Sequence, residues 1–454
     1  MKSFESLGIW FLPKDPETYV AGTISFSKEQ GIKLVLSNAI QKADGIGELN
    51  YPLIHGVVSE SPYGKFISLF DCFTTNIRFG MPGISVERIR ANHGFAGDEH
   101  VDSVLTLFNA ASVSFPTLGA WLKTSGLKVD VEGEDVVARW HRPTKYECHV
   151  AGATIQTTAG LKTERGGKGG SISLHETQAF MVKGFGEKSA NEIDSTYAGP
   201  LSKLVTFASD RPSQLDLFRF YKGENKTAQF NRIYSPAGEG STSESNRDDD
   251  LLFTAADVPG GFEQFMKLWF EFVRGHPNFC RVFFLSGYDK KGFVETRFLL
   301  LMQAVECLLY DETPKESDDL KPFEKVRQTS FADNVFSQRP FAGVLIPTAF
   351  QMAMPSLFSK LVDENWELIE DVVGTSKEQF LNVLFGTFNY VMNRGKHPDE
   401  VKGSNFFWLH QRLAAVVKIC LLKLLQFSHD KIVSIIARNG EMRHLKSIAE
   451  PWNA

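Results

Sequence analysis

The hydrophobic pattern of the chain changes its period along the sequence, and this change most restricts the possible fold. Apolar residues alternate with polar ones in 20–26, and the alternation returns in 32–36 after a Lys-Glu-Gln-Gly turn. A period of two on both sides of a short turn predicts a β-hairpin. Beyond Tyr288 the apolar residues recur with helical spacing. The sequence thus predicts strands first and helices afterwards.

Further strand signals lie in the first part of the chain. A second hairpin is predicted from His55–Val58 and Phe66–Phe70, which flank a Pro-Tyr-Gly turn at 62–64. Strands are also predicted at Val136–Trp140 and Ser171–Phe180 because both segments are rich in residues that favour strands. Together these strands favour a β-sandwich or an open-barrel-like arrangement.

Helical spacing is typical of the later segments. Helices are predicted over Leu201–Phe207, Phe262–Arg274, Glu295–Glu306, Phe406–Leu424 and from Ser428 toward Gly440. Another begins at Thr375 and Ser376, because each has an acceptor side chain three residues on, which is the spacing of a capping box. The predicted apolar stripe of that helix contains Leu381, Leu384, Phe385, Phe388, Val391 and Met392. These segments predict a C-terminal helical bundle.

The predicted fold class is α+β, with a β-rich, sandwich or open-barrel-like N-terminal region followed by an all-α bundle. A length of 454 residues predicts two or three domains, since a single core rarely grows beyond about 250–300 residues. We place a β-rich domain at 1–195, a mixed connecting region packed with it at 196–287, and a helical domain at 288–454.

Composition restricts the function only loosely. Hydrophobic residues make up 43% and charged residues 23% of the chain, as in ordinary globular proteins. The segment from Ser376 to the C-terminus holds 11 Lys and Arg against 6 Asp and Glu, whereas the whole chain carries a net charge of -5. A mildly basic end permits contact with RNA, but it is far weaker than a dedicated nucleic-acid-binding tail.

Cysteine usage and hydropathy indicate the compartment. The five cysteines lie far apart, with no C-x-x-C pair, which is typical of reduced, buried thiols. The first residues lack the apolar segment of a signal peptide, and no run of about 18 apolar residues occurs. We therefore expect a cytoplasmic protein that has no membrane segment.

The stretch Thr387–Glu400, with the sequence TFNYVMNRGKHPDE, is the best candidate for chemistry. A helix there ends in a small basic cluster made of Arg394, Lys396 and His397. These residues also fit an ordinary helix C-terminus, because cations favour that end and Gly395 and Pro398 are helix stop signals. Both interpretations stay open on the spacing alone.

Two separated regions resemble a known family. The opening Leu7–Phe26, LGIWFLPKDPETYVAGTISF, and Ser114–Trp121, SFPTLGAW, resemble the N-terminal domain of ApeA-like proteins. The helical end, from Glu295 through the His-Pro-Asp-Glu segment at 397–400 and the Leu-rich helix after it, resembles their C-terminal HEPN domain. The resemblance covers most of the chain, and 125–200 is its least diagnostic part.

This resemblance implies an antiphage protein of the abortive-infection type, with an N-terminal sensor or regulator and a C-terminal endoribonuclease. Such nucleases carry an R-x4-6-H motif, in which Arg holds the scissile phosphate and His moves protons. The 2′-hydroxyl of the RNA is the nucleophile, so the resemblance implies no metal and no cofactor. It further implies a homodimer whose two motifs line one cleft, RNA such as tRNA as substrate, and a phage-derived trigger.

The chain departs from that motif in its spacing. Arg394 and His397 give R-x2-H, and the amide Asn393 precedes the arginine, whereas in the family an amide often follows it. Another alignment places Thr387–Tyr390 on the family's T-R-N-Y, which puts Phe388 where the family has arginine. The catalytic candidates are Arg394 and His397. A catalytically inactive HEPN scaffold that binds RNA or a protein partner is the alternative.

Three residues complete the predicted site. Asn393 and Lys396 are candidates for substrate binding beside the catalytic pair, and Glu306 on the helix after Glu295 could line the same cleft. For Glu306 and Gln303 the spacing favours a solvated helix face over a cleft.

The other motifs favour structural roles. The Gly-rich 164–171 lacks the GK[ST] ending of a Walker A motif, so a hairpin turn is favoured. The run Asp248–Asp250 fits a solvated loop. No metal-ligand spacing links the histidines with the cysteines. Core positions are predicted for Trp10, Trp121, Trp140, Trp269 and Trp408.

Overall fold

The computed structural model describes residues 3–40, 50–78, 85–166, 170–213, 215–223, 228–234, 251–288, 292–312, 348–393 and 404–448. The chain forms two compact units. The first unit is Met1–Gly119, Thr124–Ser202 and Ser213–Ser243, and the second is Ala120–Lys123, Lys203–Pro212 and Glu244–Ala454.

Antiparallel strands build the first unit. The strands are β1 (Phe4–Leu12), β2 (Asp15–Ser27), β3 (Gly31–Leu36), β4 (Asn50–Val58), β5 (Phe66–Arg78), β6 (Val86–Gly97), β7 (Leu107–Ser114), β8 (Leu127–Glu132), β9 (Asp135–Trp140), β10 (Glu147–Val150), β11 (Ala153–Arg165), β12 (Ile172–Ser189), β13 (Leu217–Lys222) and β14 (Ala228–Tyr234). Twelve of them form one sheet, and β8 pairs with β9 as a separate hairpin. Both hairpins predicted from the alternation, β2 with β3 and β4 with β5, are confirmed.

Six strands of the large sheet close into a ring in the order β1, β2, β3, β6, β5 and β4. The long strand β6 makes the closure possible. One edge of β6 pairs with β5, and the other edge pairs first with β3 and then with β14. Strand β14 leads on through β13, β7, β12 and β11 to β10. The ring and this extension therefore share β6.

Alternating side chains fill the interior of the ring. The buried cluster includes Trp10, Ile24, Leu34, Ile54 and Ile89, one from each of five strands. Trp10 is fully buried, and its indole Nε1 donates a hydrogen bond of 3.2 Å to the carbonyl of Gly22. A residue period of two places one apolar face of every strand inward, which explains the core.

Helices build most of the second unit. The helices of the described chain are α1 (Leu118–Leu122), α2 (Ala190–Ile193), α3 (Gly199–Ser209), α4 (Gly261–Gly275), α5 (Pro277–Tyr288), α6 (Val294–Glu312), α7 (Thr348–Glu364), α8 (Trp366–Val373), α9 (Lys377–Asn393), α10 (Ser404–Leu424), α11 (His429–Arg438) and α12 (Gly440–Ser447). A π-helical turn, Asp194–Ala198, joins α2 to α3. The predicted α+β class, with a β-rich region before a helical one, is confirmed.

An aromatic core holds the second unit together. Phe207 stacks on Trp269 with ring centroids 6.1 Å apart, and Phe427 contacts both Phe253 and Phe265. Helix α6 lies at the centre and contacts α5, α7, α9 and α10. All five cysteines of the chain are free and buried, as predicted.

Candidate functional site in the helical region

Helix α9 carries the first half of the predicted site and begins where the capping residues predict. The hydroxyl of Ser376 accepts a hydrogen bond of 3.3 Å from the backbone N–H of Gln379, and the hydroxyl of Thr375 donates one of 2.5 Å to the side chain of Gln379. The helix continues to Asn393. Arg394, Lys396 and His397 lie outside the described residues.

The buried face of α9 differs from the predicted stripe. Its buried residues are Phe380, Val383, Leu384 and Thr387, so Leu384 alone of the predicted stripe is buried and the others are half-buried. Apolar side chains cover more of this helix than its neighbours can bury, and spacing alone does not choose among them. Thr387 tolerates burial because its hydroxyl donates a hydrogen bond of 2.7 Å to the carbonyl of Val383.

Glu306 and Gln303 are both buried on α6, at 8% exposure each. The prediction of a solvated face is therefore wrong for both side chains. The reason is that α6 is buried on every side from Leu300 to Leu309, as expected of a helix surrounded by other helices. Burial raises the pKa of the neighbouring Cys307 thiol to about 12, and the charges of Asp311 and Glu306 add to that effect.

A second polar cluster lines a cavity elsewhere in the second unit, and sequence analysis did not predict it. Its centre is Lys418 on α10, whose Nζ lies 2.5 Å from Oδ1 of Asp210 and 3.6 Å from Oε2 of Glu441. Arg297 and His410 line the same cavity. Asp210 and Glu441 are 231 positions apart in the sequence, so no local spacing connects these residues. The one signal of this cluster in the sequence was the ionisable side chain of Lys418 within the Leu-rich helix α10.

The charges of this cluster are strongly perturbed. Burial lowers the pKa of His410 to about 3, and the nearby cations Arg297 and Lys418 act in the same direction. The imidazole is therefore neutral at physiological pH. Burial opposes the charge on Lys418, but Asp210 and Glu441 outweigh that effect and raise its pKa.

In the first unit two histidines stack at the ring wall. The rings of His55 and His100 lie 4.2 Å apart and nearly parallel, and Nε2 of His55 lies 3.6 Å from the carboxylate of Asp102. Burial lowers the pKa of both imidazoles. The pKa of His100 falls to about 4, because the neighbouring His55 acts in the same direction as burial. Within the described ranges no group of three or more His, Cys, Asp or Glu is placed to hold a metal ion.

The structure describes only some of the other motifs singled out in the sequence. Residues 167–169 of the Gly-rich segment lie outside the described residues. On either side of them β11 pairs with β12, and the N–H of Gly166 donates a hydrogen bond of 2.8 Å to the carbonyl of Ser171. The run 248–250 lies outside the described residues. Three of the five predicted core tryptophans are fully buried, whereas Trp140 and Trp408 are half-buried.

Among the helices that the structure describes, none is long and apolar enough to cross a membrane.

Comparison with known proteins gives one match, and it covers mainly the first unit. Neither the curated proteins nor the solved structures contain a match to the chain. A family model described as ApeA N-terminal domain 1 matches residues 5–269, which is more than half of the chain, and ends before the helices from α5 onward. The chain therefore belongs to the ApeA N-terminal domain 1 family, a membership that indicates a role in antiphage defence.

Proposed function

We propose that this protein is an antiphage effector in which the helical region cleaves RNA without a metal ion and the β-rich region senses or regulates. The observation that carries the proposal is the ApeA family match over residues 5–269. A helical region follows the matched part, as the resemblance to ApeA-like proteins with a HEPN domain leads us to expect. Helix α9 supports the assignment because its last described residue, Asn393, directly precedes the basic cluster of Arg394, Lys396 and His397 in the sequence.

The chemistry assigned to this cluster needs only side chains and the RNA itself. Arg394 binds the scissile phosphate and offsets the charge that builds up on its oxygens. His397 transfers the proton while the 2′-oxygen attacks phosphorus. The bond from phosphorus to the 5′-oxygen then breaks, the 5′-oxygen takes up a proton, and a 2′,3′-cyclic phosphate remains on the other product.

The remaining site residues have supporting roles in the proposal. Asn393 and Lys396 bind RNA phosphates beside the catalytic pair. In the proposal Glu306 lines the same cleft from α6, where it is 8% exposed. Cleavage by Glu306→Gln tests that placement, with Arg394→Ala as the reference for lost cleavage. A cleavage defect in Glu306→Gln at an unchanged thermal midpoint supports a place in the cleft. Wild-type cleavage by Glu306→Gln contradicts it.

In the proposed function the protein also dimerises and responds to a trigger. Two copies of the chain form a homodimer through their helical regions, and their two basic clusters line one cleft for the RNA. A phage-derived component triggers cleavage through the β-rich region, and cellular RNA such as tRNA is the substrate. Sedimentation of the purified protein checks the dimer, and a monomer at the concentration of the active enzyme would contradict it.

Phage infection of cells that produce the protein tests the proposed function. We expect cellular RNA to be cleaved in cells with the wild type and with His429→Ala, whose histidine lies exposed at the start of α11. Cells with His397→Ala should keep their RNA intact. Intact RNA in the wild-type cells during a restricted infection would contradict a ribonuclease.

The spacing of the basic cluster favours one alternative. R-x2-H is shorter than the R-x4-6-H of the HEPN family, so a catalytically inactive scaffold that binds RNA or a partner protein is the second candidate. If Arg394→Ala and His397→Ala both leave phage resistance unchanged, the scaffold is the better description.

A further inference from the structure

A cavity of about 140 Å³ opens in the second unit beside the N-terminal turn of α6. Its apolar wall consists of Phe207, Phe283 and Phe284, and its polar wall includes Arg297, His410 and Lys418. None of these residues belongs to the proposed catalytic cluster. The cavity is therefore a separate candidate site from the proposed site of RNA cleavage.

Three buried polar atoms at this cavity have no hydrogen-bond partner among the described residues. They are Nε of Arg297, Nδ1 of His410 and Oδ2 of Asp210. His410 is only 5% exposed. Such atoms are rare in native proteins, since each costs about 1–3 kcal/mol when it is left without a partner. Three in one cavity leave hydrogen-bonding capacity that ordered water or a bound ligand would satisfy.

The charges around the cavity favour an anionic ligand. Lys418 is already neutralised by Asp210 and Glu441, which lie 2.5 and 3.6 Å from its Nζ. Arg297 and Arg211 add two further cations to the lining. The lining thus holds three permanent cations against two carboxylates, and the imidazole of His410 adds hydrogen-bonding capacity without charge. An arginine Nε–H suits the oxygens of a phosphate because both groups form short, charge-assisted hydrogen bonds.

The size of the cavity limits what enters it. Water occupies about 30 Å³ per molecule in the liquid, so the cavity holds a group the size of roughly four or five waters. One tetrahedral phosphate fits this space. The aromatic wall lies beside it and offers an apolar surface to the organic part of a phosphate ester.

We propose that this cavity is a binding site for the phosphate group of a small molecule, with Arg297 Nε and His410 donating hydrogen bonds to its oxygens. The protonated form of the phosphate also supplies the donor that Asp210 Oδ2 lacks. The site is distinct from Arg394 and His397, and ligand binding there links α6, α10 and the segment after α3 within one unit. The proposed phosphate binding does not depend on RNA cleavage.

Titration calorimetry on the full-length protein tests the site with two probes, inorganic phosphate and ribose 5-phosphate. We expect saturable binding of at least one probe, and the preferred probe distinguishes free phosphate from a phosphate ester. Arg297→Gln should weaken binding about 10- to 100-fold, the usual effect of losing a charge-assisted hydrogen bond. Ala414→Leu should abolish binding, since Ala414 lines the cavity and the larger side chain fills it while every charge remains.

Arg443→Gln is the matched control. It removes the same charge from an exposed position on α12, outside the cavity, and should bind as the wild type does. Circular dichroism checks that each variant is folded. The proposal is contradicted if neither probe saturates below about 10 mM, or if folded Arg297→Gln and Ala414→Leu bind like the wild type. A crystal structure with waters alone on the three atoms, in the presence of phosphate, would contradict it as well.

Discussion

Asp257 lies 2.8 Å from Arg438, its carboxylate Oδ2 facing the guanidinium Nη2. The other oxygen lies 2.8 Å from Nζ of Lys431, and the backbone N–H and hydroxyl of Thr254 also donate to the carboxylate. Burial alone would raise the pKa of Asp257, but these hydrogen bonds outweigh burial and hold the pKa well below its ordinary value. One side chain thus ties the segment before α4 to helix α11.

Replacing Asp257 should destabilise the second unit in a pH-dependent way. Asp257→Asn is expected to lower the free energy of unfolding by about 2–4 kcal/mol at pH 7, because two cations lose their anion in a mostly buried position. A lowered pKa in the folded state means that this stability is present above the unfolded pKa near ~4 and is lost as pH falls. Urea unfolding of wild type and variant at neutral and acidic pH measures the difference.

Glu263→Gln is the control for that measurement. Glu263 pairs with Lys267 at 2.8 Å on the exposed side of α4, where an ion pair contributes less than about 1 kcal/mol. Equal losses in the two variants, or a loss in Asp257→Asn that does not shrink toward low pH, would show that the carboxylate charge does not hold this contact.

A fully buried carboxylate organises the ring of strands in the first unit. Glu87 on β6 accepts hydrogen bonds from the hydroxyls of Tyr51 and Thr74 at 2.9 and 2.6 Å, and from the N–H of Ile40 at 3.1 Å. Its three donors come from three separate parts of the chain. Each would be left without an acceptor if the carboxylate were removed.

Glu87→Ala should therefore destabilise the first unit by about 3–5 kcal/mol, whereas Tyr51→Phe should cost only about 1 kcal/mol because it removes one donor and leaves the acceptor satisfied by the others. Glu87→Gln keeps one acceptor oxygen and should fall between them. Chemical denaturation of the three variants gives this ranking. A harmless Glu87→Ala would contradict the structural role.

Trp10 and Gly56 face each other across β1 and β4. A Cβ on Gly56 would overlap the indole ring of Trp10, so Gly56→Ala is expected to destabilise the protein by about 1–3 kcal/mol through overpacking. Gly119→Ala is the control, since the nearest atom to its added Cβ is 3.8 Å away, and it should change stability by less than about 0.5 kcal/mol. Thermal unfolding measures both, and equal midpoints for the two variants would contradict the close packing.

The local features of the fold were predictable from the sequence. A period of two marked the paired strands of both hairpins, and helix caps such as Ser376 marked helix starts, because both signals depend on neighbours a few residues away. The ring itself was not predictable in this way. Its closure depends on β6, whose three partner strands come from 32–36, 66–78 and 230–234.

The candidate site shows the same division between local and distant information. The cap residues Thr375 and Ser376 predicted where α9 begins, and its last described residue, Asn393, directly precedes the basic cluster in the sequence. The sequence did not predict the burial of Glu306, which depends on the helices that surround α6. Nor did it predict the contact of Lys418 with Asp210, because the two residues meet only in the folded unit.

The cleavage of one RNA and its 2′-deoxy counterpart in EDTA tests the central claim most directly. The full-length protein is isolated from infected cells as wild type, Arg394→Ala, His397→Ala and the control His429→Ala. Our proposal predicts cleavage of the RNA to a 2′,3′-cyclic phosphate by the wild type and the control, no cleavage at the 2′-deoxy position, and a loss of about 100-fold or more in the other two variants. Equal cleavage by wild type and His397→Ala, or cleavage that stops in EDTA, would contradict it.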